Sequence, residues 1–163
     1  MQKAFTMIEL VFAIVVIGIL AAVAVPKLAP IVNSAQEAKA SSTLASVRSA
    51  ISTERQKRIL RGDFATPISD LSLAHGSSAW GTPIFDYFDG NNTLPILDYP
   101  PKTCKSITQK RSCWRSGATD KYNYFMSDGT KIQFTIRNGR TLECNDDESV
   151  TAAQAAGCKS LSQ

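Results

Sequence analysis

Phe5-Thr6-Met7-Ile8-Glu9-Leu10-Val11-Phe12-Ala13-Ile14-Val15-Val16-Ile17-Gly18-Ile19-Leu20-Ala21-Ala22-Val23-Ala24-Val25-Pro26 decides how the rest of the chain is read. Glu9 is the only charge between Lys3 and Lys27. Residues 5–29 wound as a helix rise about 37 Å, more than the ~30 Å of a bilayer's hydrocarbon core, so one membrane crossing fits. A cleaved secretory signal is the competing reading, because Lys3 supplies a basic start and Ala22-Val23-Ala24 an A-x-A site. Against it, a carboxylate inside the apolar run costs on the order of 3 kcal/mol near the bilayer centre unless paired or protonated. A discarded signal has no use for such a residue, and a helical pattern continues well past the supposed cleavage site.

The whole chain has 163 residues, 44% hydrophobic and 20% charged, enough for one globular unit with an appendage. A net charge of +4 is too near balance to make nucleic acid the default partner. G-x-S-x-G, a phosphate-binding glycine loop and H-E-x-x-H are all missing, and His75 has no evident triad in the sequence, which speaks against an enzyme.

Lys3-Ala4-Phe5-Thr6-Met7-Ile8-Glu9-Leu10, followed by an unbroken apolar helix with Pro26, resembles the start of type IV pilins and type II secretion pseudopilins. That family usually has Gly at the position of Ala4 and Leu at that of Met7. The resemblance implies an α+β fold, with a long N-terminal helix packed on a small antiparallel sheet of at least three strands. It implies that a prepilin peptidase cuts between Ala4 and Phe5 and methylates the new amine. It also implies life as a single-pass inner-membrane protein with a periplasmic head, then as a filament subunit. The partners would be other pilin-like subunits, an assembly platform and a cytoplasmic motor ATPase. In chemical terms, Glu9 of one chain can meet the new ammonium at Phe5 of a neighbour; removing either charge strands the other in low dielectric. Snorkelling of Glu9 to the interface is the simpler alternative. A surface pilus, a secretion pseudopilus and a DNA-uptake filament share this spine, and a non-polymerising anchored binding protein is the rival class. By the same resemblance, Glu9 argues against a tip subunit.

The expected organisation is a leader at 1–4, a transmembrane and assembly helix at 5–29, its amphipathic half at 30–61 and a head at 62–163. Ile31, Val32, Ala35 and Ala38 form one stripe, continued by Leu44, Val47 and Ile51. The spacing predicts a helix to Arg61, stopped by Gly62, with Arg55, Lys57, Arg58 and Arg61 favoured by the helix dipole. Pro26 and Pro30 weaken the hydrogen-bond ladder and predict a hinge. Residues 62–120 should form an irregular connection, open to interruption by short strands or turns of helix and anchored by Trp80, Phe85, Tyr87 and Phe88. Asp128-Gly129 and Asn138-Gly139 divide 121–144 into a three-strand meander. A two-residue loop at the first would set Phe125 opposite Ile132, on the face carrying Phe134 and Ile136. At the second, a three-residue loop would bring Leu142 beside Ile136, and is favoured.

Cys104, Cys113, Cys144 and Cys158 all follow the anchor and lie on its exported side, so disulfides are expected. Three pairings are possible; the nearest neighbours, Cys104–Cys113 and Cys144–Cys158, close modest loops worth ~3 kcal/mol each. Zinc is disfavoured, since there is no C-x-x-C and His75 is distant. No cofactor is expected. Asp146, Asp147 and Glu148, with Asn145, are weak calcium candidates, calcium in a C-terminal loop being known in major pseudopilins; the spacing is not that of an EF-hand. Alternatively Asp146 or Asp147 caps a short helix ended by Gly157. Lys102, Lys105, Lys110, Arg111 and Arg115, with Trp114 and no acid between Tyr99 and Thr119, suggest a DNA contact in which Trp114 stacks on a base. A solvated loop is the plainer reading.

Overall fold

The computed structural model describes residues 5–76, 79–145 and 151–162. They comprise α1 (Met7–Leu60), a 3-10 turn (Phe88–Gly90), β1 (Cys113–Ser116), β2 (Lys121–Phe125), β3 (Lys131–Arg137), β4 (Thr141–Cys144) and α2 (Ala152–Leu161). The architecture is α+β. The chain divides into two units, the N-terminal helix up to Ala35 and everything from Gln36 onward.

In the first unit α1 is helical without interruption through Pro26 and Pro30, so the weakened ladder does not end the helix. Its apolar side chains from Met7 to Leu28 are exposed, as are Ile31 and Val32. The expected amphipathic stripe therefore begins later than Ile31. Ala35 and Ala38 are exposed too, and burial starts at Ala40.

In the second unit Ala40, Leu44, Val47, Ile51, Glu54 and Arg58 are buried, spaced four, three, four, three and four apart, which keeps them on one face. Each fully buried aliphatic contributes about 1.5–3 kcal/mol. The helix ends in a Schellman motif: Gly62 N–H donates to Ile59 O (2.9 Å) and Asp63 N–H to Arg58 O (2.9 Å). Gly62 takes φ +83°, which a residue without Cβ adopts at no steric cost.

The sheet has order β1-β2-β3-β4, all antiparallel. β1 is a strand inside the stretch expected to be irregular, because Trp114 and Ser116 alternate inward with Cys113 and Arg115. Trp114, Tyr122, Tyr124, Ile132, Phe134, Ile136 and Leu142 form one core cluster with Leu44, Val47 and Ile51.

The first hairpin departs from the expected register. Tyr124, and not Phe125, lies opposite Ile132, and Phe125 pairs with Lys131. The loop is a turn closed by Gly129 N–H to Met126 O (3.0 Å), with Gly129 at φ +92° as a bulge. Asp128 fixes it by accepting from Thr130 N–H (2.7 Å) and Thr130 Oγ1 (2.8 Å). One residue of slip exchanges the faces, so Tyr122 and Tyr124 enter the core and Phe125 sits on the opposite face. The second hairpin does set Leu142 opposite Ile136, with Asn138, Gly139 and Arg140 between the Arg137–Thr141 pair.

α2 begins with a capping box that sequence reading overlooked. Thr151 Oγ1 accepts from Gln154 N–H (3.4 Å), and Gln154 Oε1 accepts from Thr151 N–H (2.9 Å). Gly157 does not stop this helix but lies within it, buried, where a Cβ would run into Ile132 Cδ1. Close packing on β3 requires the missing side chain. Asp146 and Asp147, read as alternative caps, lie outside the described residues.

Candidate assembly site and basic loop

The helix start is built locally. Thr6 precedes the first turn, and Glu9 stands three residues on. Thr6 N–H and Oγ1 donate to Glu9 Oε2 (2.9 and 2.8 Å), while Glu9 N–H donates to Thr6 Oγ1 (3.4 Å). This is the reciprocal T-x-x-E capping box, legible in Thr6-Met7-Ile8-Glu9 though unused in reading it. Both bonds to the carboxylate fall on Oε2; Oε1 accepts none among the described residues. The acid also stands at the positive end of the helix dipole. Phe5 is 82% exposed just ahead of it, and the apolar surface behind is of the kind soluble monomers do not display. By length and composition α1 is able to cross a membrane. Ala4, the other residue of the expected cleavage site, lies outside the described residues.

The four cysteines pair as Cys104–Cys113 and Cys144–Cys158. The first closes the loop that carries Lys105, Lys110 and Arg111; the second fastens α2 to β4. Asp146, Asp147 and Glu148, the calcium candidates, lie outside the described residues; among those described, no group of three or more His, Cys, Asp or Glu could hold a metal ion.

The residues suggested for DNA contact are not brought together as expected. Trp114 is buried, its ring packed at 5.1 Å from Phe85, 4.9 Å from Tyr124 and 5.6 Å from Phe134. No base can stack on it, because inward alternation along β1 gives the indole to the core. Arg115 points to the other face and lies over Trp80 at 4.5 Å. Lys110 lies 5.7 Å over Phe125. Lys102, Lys105 and Arg111 do converge, lining a cavity of about 540 Å³ beside Cys104 and Cys113.

Other polar groups act as struts. Arg58, expected merely to complement the helix dipole, is buried between Glu54 (Nε–Oε1 3.1 Å) and Asp89 (Nη2–Oδ2 2.5 Å). Burial opposes ionisation of Asp89, but hydrogen bonds from Ser69 N–H, Arg58 and Ser69 Oγ outweigh it and hold its carboxyl below the ordinary value. Asp70 Oδ1 accepts from Tyr122 OH (2.8 Å), which itself accepts from Leu71 N–H (2.6 Å). His75 bridges Asp70 Oδ2 (2.8 Å) and Ser116 Oγ, a Ser–His–Asp chain invisible in the sequence because its members lie 5 and 41 residues from the histidine. Ser116 has no exposed surface, so this chain ties the connection to the sheet and offers no accessible nucleophile. Of the four aromatic anchors, Phe85 and Phe88 enter the core; Trp80 and Tyr87 are half-buried.

The profile described as the prokaryotic N-terminal methylation motif matches residues 1–25. The chain is 46% identical over 69 residues to the type IV narrow pilus major component PilA5 of Thermus thermophilus. That match covers 40% of this chain and 60% of the relative, less than two thirds of its length. No solved structure matches the chain.

Proposed function

We propose that the protein is a structural subunit of a type IV pilus, processed between Ala4 and Phe5 and polymerised through its N-terminal helix. The observation that carries this reading is the unpartnered apolar surface of α1 with one carboxylate at its head. In the membrane that surface is solvated by lipid; in a filament it is covered by the helices of other copies. Glu9 sets the register. Thr6 holds Oε2, and the ammonium of a neighbouring Phe5 would take Oε1, neutralising a charge that is costly when left unpaired in hydrocarbon.

A prepilin peptidase, an assembly platform and a motor ATPase are the partners this life requires, and the head would lie on the exported side, where its disulfides form. The narrow-pilus relative favours a pilus over a secretion pseudopilus. The mature N-terminus tests processing: mass spectrometry should find methylated Phe5, whereas Val25 would reveal signal cleavage and a non-polymerising protein. Glu9→Val and Glu9→Ala should insert into the membrane yet fail to enter filaments. Normal filaments from either variant would overturn the charge-pair mechanism. Because Glu9 also caps the helix, Glu9→Gln, which keeps an oxygen for Thr6, separates the two roles and should fail as well.

A further inference from the structure

The cavity beside the Cys104–Cys113 disulfide is lined by Lys102, Lys105 and Arg111 with Gln109, and by no carboxylate. Asp128, whose carboxylate feels the Arg111 charge, is already engaged by Thr130 N–H and Oγ1. The three bases are exposed, and none forms an ion pair among the described residues. The walls are fixed by the backbone. Gly81 N–H donates to Cys104 O (3.0 Å), Thr103 N–H to Thr82 O (2.8 Å) and Cys104 N–H to Trp114 O (2.8 Å), so the disulfide loop is pinned on both sides. Three like charges around one concavity, Lys105 and Arg111 on the braced loop and Lys102 just before it, repel each other, and an anion seated among them relieves that repulsion. A guanidinium flanked by two ammonium groups suits tetrahedral oxyanions in particular, the fork taking two oxygens and the lysines the others. No aromatic ring is among the residues that line the cavity, and Trp114 is buried in the core.

We propose that this pocket binds phosphate groups by charge, without reading bases. The phosphates come either from a free oligophosphate or from the backbone of a nucleic acid. The test uses the full-length chain in an uncharged detergent, titrated separately with tripolyphosphate and with labelled mixed-sequence duplex DNA. Saturable binding of either supports the site, and the arm that binds names the source. With three phosphate contacts, DNA affinity should fall about 40-fold between 50 and 200 mM salt. The variant Lys102→Gln/Lys105→Gln/Arg111→Gln should lose at least tenfold. The charge-matched Lys57→Gln/Lys121→Gln/Lys159→Gln, which removes bases outside the pocket, should stay within twofold. Equal losses in the two variants would reduce the effect to net charge and overturn the proposal, as would the absence of binding to both probes. Unchanged thermal unfolding of both variants excludes misfolding as the cause of a loss.

Discussion

Asp89→Asn isolates one bond in the ion triad that joins α1 to the connecting segment. Asp89 sits at φ +52°, a left-handed conformation that Asn tolerates, and Asn keeps the Oδ1 that accepts from Ser69 N–H (2.6 Å) and Ser69 Oγ (3.0 Å). Only Oδ2 changes, to an amino group facing the Arg58 Nη2 donor. A hydrogen bond to a charged group contributes about 1.5–3 kcal/mol, and Glu54 stays on Arg58 Nε, so the guanidinium is not stranded. The expected loss is about 2 kcal/mol, or roughly 6–10 °C in the midpoint of thermal unfolding for a head of this size, followed by circular dichroism. Adding Glu54→Gln leaves the buried cation without a counter-charge and should bring the total to about 4–5 kcal/mol. The pH dependence has a definite sign. A carboxyl whose folded pKa is depressed contributes stability above its unfolded value of about 3.9, lost as pH falls through the folded value. Asp89→Asn should therefore flatten the acid limb of the stability curve. A variant within about 0.5 kcal/mol of the parent, with that limb unchanged, would refute the reasoning.

Gly139→Ala places a Cβ 2.7 Å from Pro67 Cα and 2.8 Å from Ile68 N at a residue with φ +61°. Backbone on both sides cannot yield, and about 2–4 kcal/mol should be lost in denaturant titration. Burial, and then the nearby Glu37 charge, pushes the Tyr124 phenol up to about 12; burial and Asp70 push Tyr122 higher still. Tyrosinate absorbance at pH 11 should therefore show both rings still largely protonated while the fold persists. Cys144→Ser/Cys158→Ser removes a loop with a sequence separation of 14 and should cost about 3 kcal/mol, freeing α2 to exchange its amides faster than β3 does.

How far the sequence could be read depended on whether the deciding interaction was local. The apolar run with Glu9 and the stop at Gly62 are written in neighbouring residues, and the structure has them where the pattern put them. Asn138-Gly139 was legible as a turn that sets Leu142 beside Ile136. Asp128-Gly129 looked equivalent but was not, because the Asp128 side chain binds Thr130 and lengthens the loop by one residue, which reverses the strand faces. Gly157 read as a stop, since its reason for being glycine is Ile132, on another element. Trp114 read as a surface aromatic among bases; only the strand alternation of β1 sends it inward. The Asp70–His75–Ser116 chain and the Arg58–Asp89 pair span separations that no local pattern encodes. Thr6 was in plain view, four residues of capping box eclipsed by the charge of its last member.

The two tryptophans occupy opposite circumstances, and this gives the head a pair of native optical probes. Trp114, enclosed by rings, should emit at short wavelength until the core itself opens. Trp80, half-covered by a guanidinium, should be accessible to aqueous quenchers from the start. Replacing either with Phe leaves a single reporter, one for the sheet and helix, the other for the segment laid across them, so the order in which they loosen can be followed in the same molecule by light alone.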